Sequence, residues 1–169
     1  MTTGAQPFAK AKLYIGTTLV VDYDEAIADA VVAAAAEVDV FTEIKPIEDA
    51  GEGGDESTEI EFTAVGEGRT ETFKGTKKGT PMDLSLGFVP SDAGQVALEA
   101  AYNASSHLNY NFKLELNDDP GGSGSNPTAF YWAGKVTQHR TRFGGANNVV
   151  MRLARISVDT RTVVIPAAP

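Results

Sequence analysis

Cysteine is absent from this chain of 169 residues, which removes disulfides, thiol catalysis and cysteine-based metal sites together. Histidine is nearly absent too. His107 and His139 stand far apart without HxxxH or HExxH context, so no histidine metal box is legible. Basic residues are scarce: 14 Lys and Arg against 23 Asp and Glu give a formal charge of -9. That disfavours ordinary nucleic-acid binding, which neutralises phosphates with clustered Lys and Arg. No run approaches the roughly 18 apolar residues that a membrane span needs. The opening MTTGAQPFAKAKLYIG lacks the continuous apolar stretch of a signal peptide, and the expectation is a soluble chain made in the cytoplasm.

Catalytic signatures are missing as well. There is no GxSxG elbow and no Ser/His/Asp context. Gly121–Ser125 and Gly75–Thr80 lack phosphate-loop spacing and read as turns. Asp118-Asp119 and Asp49 with Asp55-Glu56 lack the spaced ligands of a calcium loop. Asn103-Ala104-Ser105 matches the glycosylation triplet inside a predicted helix, a chance match. No enzyme, cofactor or metal is expected.

What is present is strand pattern. At this length, with 42% apolar residues, one domain spanning 1–169 is expected. Met82, Leu84, Leu86 and Phe88 alternate with Asp83, Ser85 and Gly87, the period of a half-buried strand. Val89-Pro90-Ser91-Asp92 breaks it and starts a helix over about 92–105, with Asp92 and Gln95 at capping-box spacing. Val96, Ala97, Ala100, Ala101 and Ala104 form a stripe predicted to face the chain's own sheet. Leu98 and Tyr102 form a second strip, predicted to meet a neighbouring subunit. An Ala-rich helix is expected over about 24–38, with Ile27, Val31, Ala34, Ala35 and Val38 inward.

Further strands are predicted at Lys10–Ile15, Val40–Ile47, Glu59–Val65, Arg69–Lys74, Asn109–Asn117, Ala129–Thr141, Asn148–Asp159 and Thr160–Pro166. Pro46 marks an edge or a strand end. Ile60, Phe62 and Ala64 are read as inward, and Asn111 and Lys113 as outward. The Gly-rich acidic stretch 48–58 and the stretch 118–127 read as extended, mobile loops. The pattern predicts a mainly β fold: an antiparallel β-sandwich or barrel with one flanking α-helix and a second, Ala-rich one.

Charge is segregated along the chain. Residues 37–61 hold ten acids against Lys45, while 135–161 hold Lys135 and five arginines against Asp159. Such patches suit head-to-tail association of identical subunits, or else they neighbour each other within one fold.

Several blocks in order resemble the major tail tube proteins of long-tailed, non-contractile (siphovirus-like) bacteriophages and related gene transfer agents. They are Lys12–Gly16, Phe41–Ile44 with Ile47–Asp49, Gly54–Phe62, Lys74–Thr76, Asp83–Gly87, Pro90–Gln95, Tyr110–Phe112, Phe130–Val136 and Asn147–Val150. The resemblance implies a β-sandwich with a flanking helix that assembles into hexameric rings. Those rings stack into a virion tail tube through which DNA passes without specific binding. It implies partners such as tape measure, distal tail and tail terminator proteins, and no membrane. An acidic chain fits a lumen that repels phosphate. The contacts expected between subunits or rings are Glu48, Asp49, Asp55, Glu56, Leu98, Tyr102, Asp118, Asp119, Arg140 and Arg142. Two alternatives stand beside this: another ring-forming virion or secretion-tube protein, or a carbohydrate- or calcium-binding β-sandwich using Trp132, Tyr131 and the acidic loop.

Overall fold

Among the described residues, alternating apolar residues, a Ser-Asp corner and an Ala-rich excursion resolve into ten strands and two helices. The computed structural model describes residues 8–66 and 68–169. In chain order the elements are β1 (Lys12–Ile15), α1 (Asp29–Ala36), β2 (Thr42–Ile44), β3 (Ile47–Asp49), β4 (Asp55–Thr63) and β5 (Thr70–Gly79). Then follow β6 (Met82–Gly87), α2 (Ala93–Asn103), β7 (Tyr110–Glu115), β8 (Ala129–Arg142), β9 (Met151–Val158) and β10 (Val163–Ile165). Neither helix is long and apolar enough to cross a membrane.

An eight-stranded antiparallel sheet runs β2-β1-β7-β8-β9-β6-β3, with β10 also on β8. Strand β8, 14 residues long, is its spine. Its first half pairs with β7 and β10 and its second half with β9, across a bulge between Val136 and Gln138. The order itself forces curvature. Laid flat, this path would hold its edges about 29 Å apart at a spacing of roughly 4.8 Å. Yet edge strands β2 and β3 are joined by Lys45-Pro46 alone, and the step from Ile44 to Ile47 reaches only about 10 Å. The sheet therefore curls until its two edges approach, which gives the expected sandwich with a flanking helix. Pro46 sits at the joint, so the single strand predicted over Val40–Ile47 is two short edge strands.

Alternation along the central strands supplies a core on each face. Phe112 on β7, Trp132 and Val136 on β8, and Met82, Leu84 and Leu86 on β6 point inward with Leu13, Ile15, Ile44, Ile156 and Leu98. Phe112 and Trp132 stack there, ring centroids 5.9 Å apart. Ala129, Tyr131 and Ala133, the odd-numbered set on β8, face outward beneath Val32, Ala33 and Ala36 of α1.

Helix α2 closes the inner layer. Asp92 caps it as predicted, accepting from the Gln95 amide at 3.0 Å. The buried Gln95 side chain does not complete a capping box. Its Nε2 donates to the carbonyls of Lys45 (3.0 Å) and Gly87 (2.7 Å), and its Oε1 accepts from the Val89 amide. One side chain thus ties helix, joint and strand together. Gly94 lets the helix meet β2: a Cβ there would lie 2.2 Å from the Glu43 carbonyl oxygen.

The inward stripe of α2 differs from the predicted one. Leu98 and Ala101 are buried while Val96 and Ala100 are exposed. The side chains cover the turn N-terminal to their own Cα, and Gly94 fixes which face touches β2. Helix α1 is shorter than the predicted 24–38. Asp24 turns the chain instead, its carboxylate accepting from the Ala26 amide. The buried face of α1 is Val32, Ala33 and Ala36, with Val31 and Val38 exposed. A run apolar on every side carries no phase, so the sheet chose it.

Three further expectations are corrected. The stretch 48–58 is not one loop, because β3 and β4 occupy both its ends. The chain over Gly75–Gly79 is strand, not turn, since β5 continues to Gly79 opposite Asp55. Asn111 and Lys113 do point outward, opposite Ala133 and Tyr131, but that face is not solvated: residues 17–41 arch over the sheet and bury both.

Candidate subunit interface

The polar side chains that hold this arch are paired within the chain. Asp39 accepts from the Thr17 amide (2.8 Å), the Thr17 hydroxyl (2.5 Å), the Asn111 side-chain amide (2.8 Å) and the Val40 amide (2.8 Å). Burial alone would raise its carboxyl, but those donors outweigh burial and hold it below the usual carboxylate range. Glu37 follows the same balance. Burial works against its charge, and the Tyr131 hydroxyl (2.6 Å) and Lys113 ammonium (3.0 Å) overcome it. Burial, then a hydrogen bond to Glu115, pushes the Tyr14 hydroxyl well above its ordinary range. Arg161 completes the clamp, donating to the Tyr23 and Ile27 carbonyls (2.9 and 2.8 Å) and to Asp29 (2.6 Å). Spacing gave no sign of this clamp, because every partner is distant in sequence.

The unpaired surface lies elsewhere. Strands β4 and β5 form a two-stranded sheet outside the main one, and every residue of β4 is exposed. Ile60 lies opposite Phe73, and Phe62 is two positions along on the same face. The three are 55%, 50% and 58% exposed. The alternation predicted over Glu59–Val65 is real, but its apolar side meets solvent rather than the core. A lone two-stranded hairpin is marginal in water. Covering what remains exposed of three such side chains would yield roughly 1 kcal/mol each. The hairpin's charges are partly matched across the strands, Glu56 opposite Lys78 and Glu59 opposite Lys74. Lys77 at its base ion-pairs with Glu25.

The predicted contact residues fall into five pairs. Asp55 and Glu56 start β4 and are exposed. Glu48 and Asp49 lie on exposed β3, where the Asp49 carboxylate accepts from the Gly51 amide at 2.8 Å. Arg140 and Arg142, exposed at the far end of β8, form no ion pair among the described residues. Glu48 and Arg142 line one hollow with Asn147 and Asn148. Asp118 and Asp119 lie at the opposite end of the molecule. Asp118 accepts from the Thr128 amide (2.7 Å) and hydroxyl (2.5 Å). The Ser125 hydroxyl, then the Gly121 amide, hold the Asp119 carboxyl low.

The α2 pair divides. Tyr102 is 45% exposed, its ring stacked on His139 at 5.9 Å. Leu98 is 0% exposed in the inner core. It has no surface to offer a neighbour, which corrects its assignment as a subunit contact. The sugar-platform alternative loses its aromatics the same way: Trp132 is 2% exposed and Tyr131 is also buried. Neither acidic nor basic segment pairs with the other; among the described residues no ion pair joins 37–61 to 135–161.

Comparison with known proteins places the fold. No protein-family model matches the sequence, and no curated protein matches it. Among solved structures, the chain is similar to one from the anti-feeding prophage baseplate, at 10% identity, TM-score 0.68 and 98% coverage of both chains. It is similar to a chain of the sheath-tube complex of an extracellular contractile injection system (PVC), at 14% identity and TM-score 0.64, covering 98% of this chain and 94% of that one. A third likeness is to the SPP1 tail tube, at 13% identity and TM-score 0.57, covering 95% and 80%. At these identities the likeness is one of fold: a curled antiparallel sheet with its packed helix.

Proposed function

We propose that this chain is a structural subunit of a virion-type tail tube, without catalytic activity. It assembles into hexameric rings that stack as a conduit for DNA. The observation that carries this reading is the β4–β5 hairpin, whose apolar face stands outside the main sheet and is left half exposed by the described residues. Likeness of fold to tube-forming chains over nearly its whole length supports it. In the assembly the hairpin lies on the next copy. Arg140 and Arg142 at one end of β8 and the 118–127 loop at the other, about 40 Å apart by strand length, supply opposite ends for head-to-tail stacking. Tape measure, distal tail and tail terminator proteins are the partners expected at the tube's ends. A second reading, the tube of an injection apparatus rather than of a phage or gene transfer agent, is favoured by the likeness to the sheath-tube complex.

Negative-stain microscopy of the purified chain tests the proposal, with Phe62→Glu beside the unchanged protein. Rings or tubes are expected from the unchanged chain, and monomers of equal stability from the variant. Monomers from both, even at high concentration, would sink it.

A further inference from the structure

The inner face of the sheet changes character at one end. Past Val136 on β8 the next inward positions beyond the bulge are His139 and Thr141, and past Ala154 on β9 the next is Arg152. This end lies beneath α2, where a hydrophobic seam would be expected. Instead the His139 ring stacks on Tyr102 of α2 at 5.9 Å, and its Nε2 is buried with no hydrogen-bond partner. Arg152 is nearly buried beside it. Its guanidinium lies over the Phe88 ring at 4.6 Å, donates to the Thr141 hydroxyl at 2.9 Å and leaves its own Nε without a partner. The carboxylate facing this pair from α2 is Glu99, 3.9 Å from Arg152 and half exposed. Tyr102 is the other titratable group α2 brings to the ring.

We propose that His139 is an acid-sensitive latch beneath α2: neutral, its ring packs the Tyr102 flank of the helix against the sheet, and protonation beside Arg152 releases that flank. The physics follows from the neighbours. A second cation would be buried next to a guanidinium, with one half-exposed carboxylate already shared between them. Burial, then the Arg152 charge, lowers the His139 affinity for a proton, and Glu99 opposes them only in part. The docked helix therefore favours the neutral ring. Docking is complete above the ordinary histidine range, near pH 6.5, and weakens as pH falls below it. The Leu98 contact, one turn nearer the helix N-terminus and apolar, does not titrate, so the C-terminal turn around Tyr102 moves first.

This inference stands apart from the tube reading, because every residue in it belongs to one chain. The experiment compares the full-length protein with His139→Gln, uncharged at every pH, by amide hydrogen exchange at matched pH. The two are expected to exchange alike over α2 at pH 8. At pH 5 the residues around Tyr102 should exchange several-fold faster in the unchanged protein than in His139→Gln. Equal exchange at pH 5 would overturn the latch. If the variant does not fold at pH 8, the His139 imidazole resonances of the unchanged protein decide. Titration below the ordinary histidine value, with the Tyr102 signals moving in step, supports the latch; titration at or above that value, or Tyr102 signals that stay still, overturns it.

Discussion

At residue scale, contact between α2 and the sheet rests on one missing side chain. Gly94 has ordinary helical backbone, so its role is space rather than conformational freedom. A methyl group there would meet the Glu43 carbonyl oxygen at 2.2 Å and the Ile44 Cα at 2.5 Å, both backbone atoms. Neither can swing aside as a side chain would. Gly94→Ala should therefore lift the helix off β2 and strain the Gln95 bonds beside it, costing about 1–3 kcal/mol. Against this, alanine's better helix propensity returns at most about 1 kcal/mol. Urea unfolding should show a lower midpoint with an unchanged slope. A gain in stability would mean that the helix packs more loosely against Ile44 than these distances say.

At element scale, the elements legible in the sequence were those whose burial matched their own period. Strand β6 is the clearest, with Met82, Leu84 and Leu86 inward, and the Asp92 cap follows from local chemistry. Three elements were not legible, each for a different physical reason. The β4–β5 hairpin has a true period-2 pattern, but a period says that one side is apolar and not what covers it. Helix α1 is apolar all round and has no phase of its own. Strand β7 reads as half solvated, yet Lys113 and Asn111 lie beneath an arch that comes from far earlier in the chain. Of the candidate interface, the exposed acids and arginines could be read from charge alone. The fate of Leu98 depended on which face of α2 Gly94 presents.

The arch itself makes a prediction about acid. Both Asp39 and Glu37 hold their protons less tightly in the fold than a free carboxylate does. Groups lowered in this way contribute stability above the unfolded value of about 4, and that contribution is lost as pH falls through the folded values. Below about pH 4, residues 17–41 should lose amide protection before the inner core around Phe112 and Leu84 does. Hydrogen exchange mapped along the chain at pH 3 and pH 6 checks this. Simultaneous loss everywhere would make the arch part of one cooperative unit with the sheet. Loss of the arch begins at about pH 4, whereas weakening at His139 begins at about 6.5, so a titration downward from neutral pH meets the latch first.

At the scale of the whole molecule, the question is where the net charge of -9 acts. Within the chain, carboxylates such as Glu37, Asp39, Asp29 and Asp92 have structural work, held by Lys113, Thr17, Arg161 and the Gln95 amide. Asp55 and Glu56 are different. They stand exposed at the base of the hairpin, facing Gly79 and Lys78 across β5. Reversing both to Lys places one like-charge pair opposite Lys78, a cost of about 0.2–1 kcal/mol in the monomer. If these acids meet the unpaired Arg140 and Arg142 of the next copy, the same change costs each subunit contact far more, repeated along the tube. The double variant Asp55→Lys/Glu56→Lys should therefore keep nearly the same unfolding midpoint yet polymerise poorly. Added salt should weaken assembly of the unchanged chain and narrow the difference between the two, since exposed charges are screened within about 10 Å at 0.1 M. Sedimentation at two salt concentrations, run beside urea unfolding, separates the outcomes. Equal loss of folding and assembly would assign Asp55 and Glu56 to the hairpin's own stability, and unimpaired polymerisation would move the contact to another face.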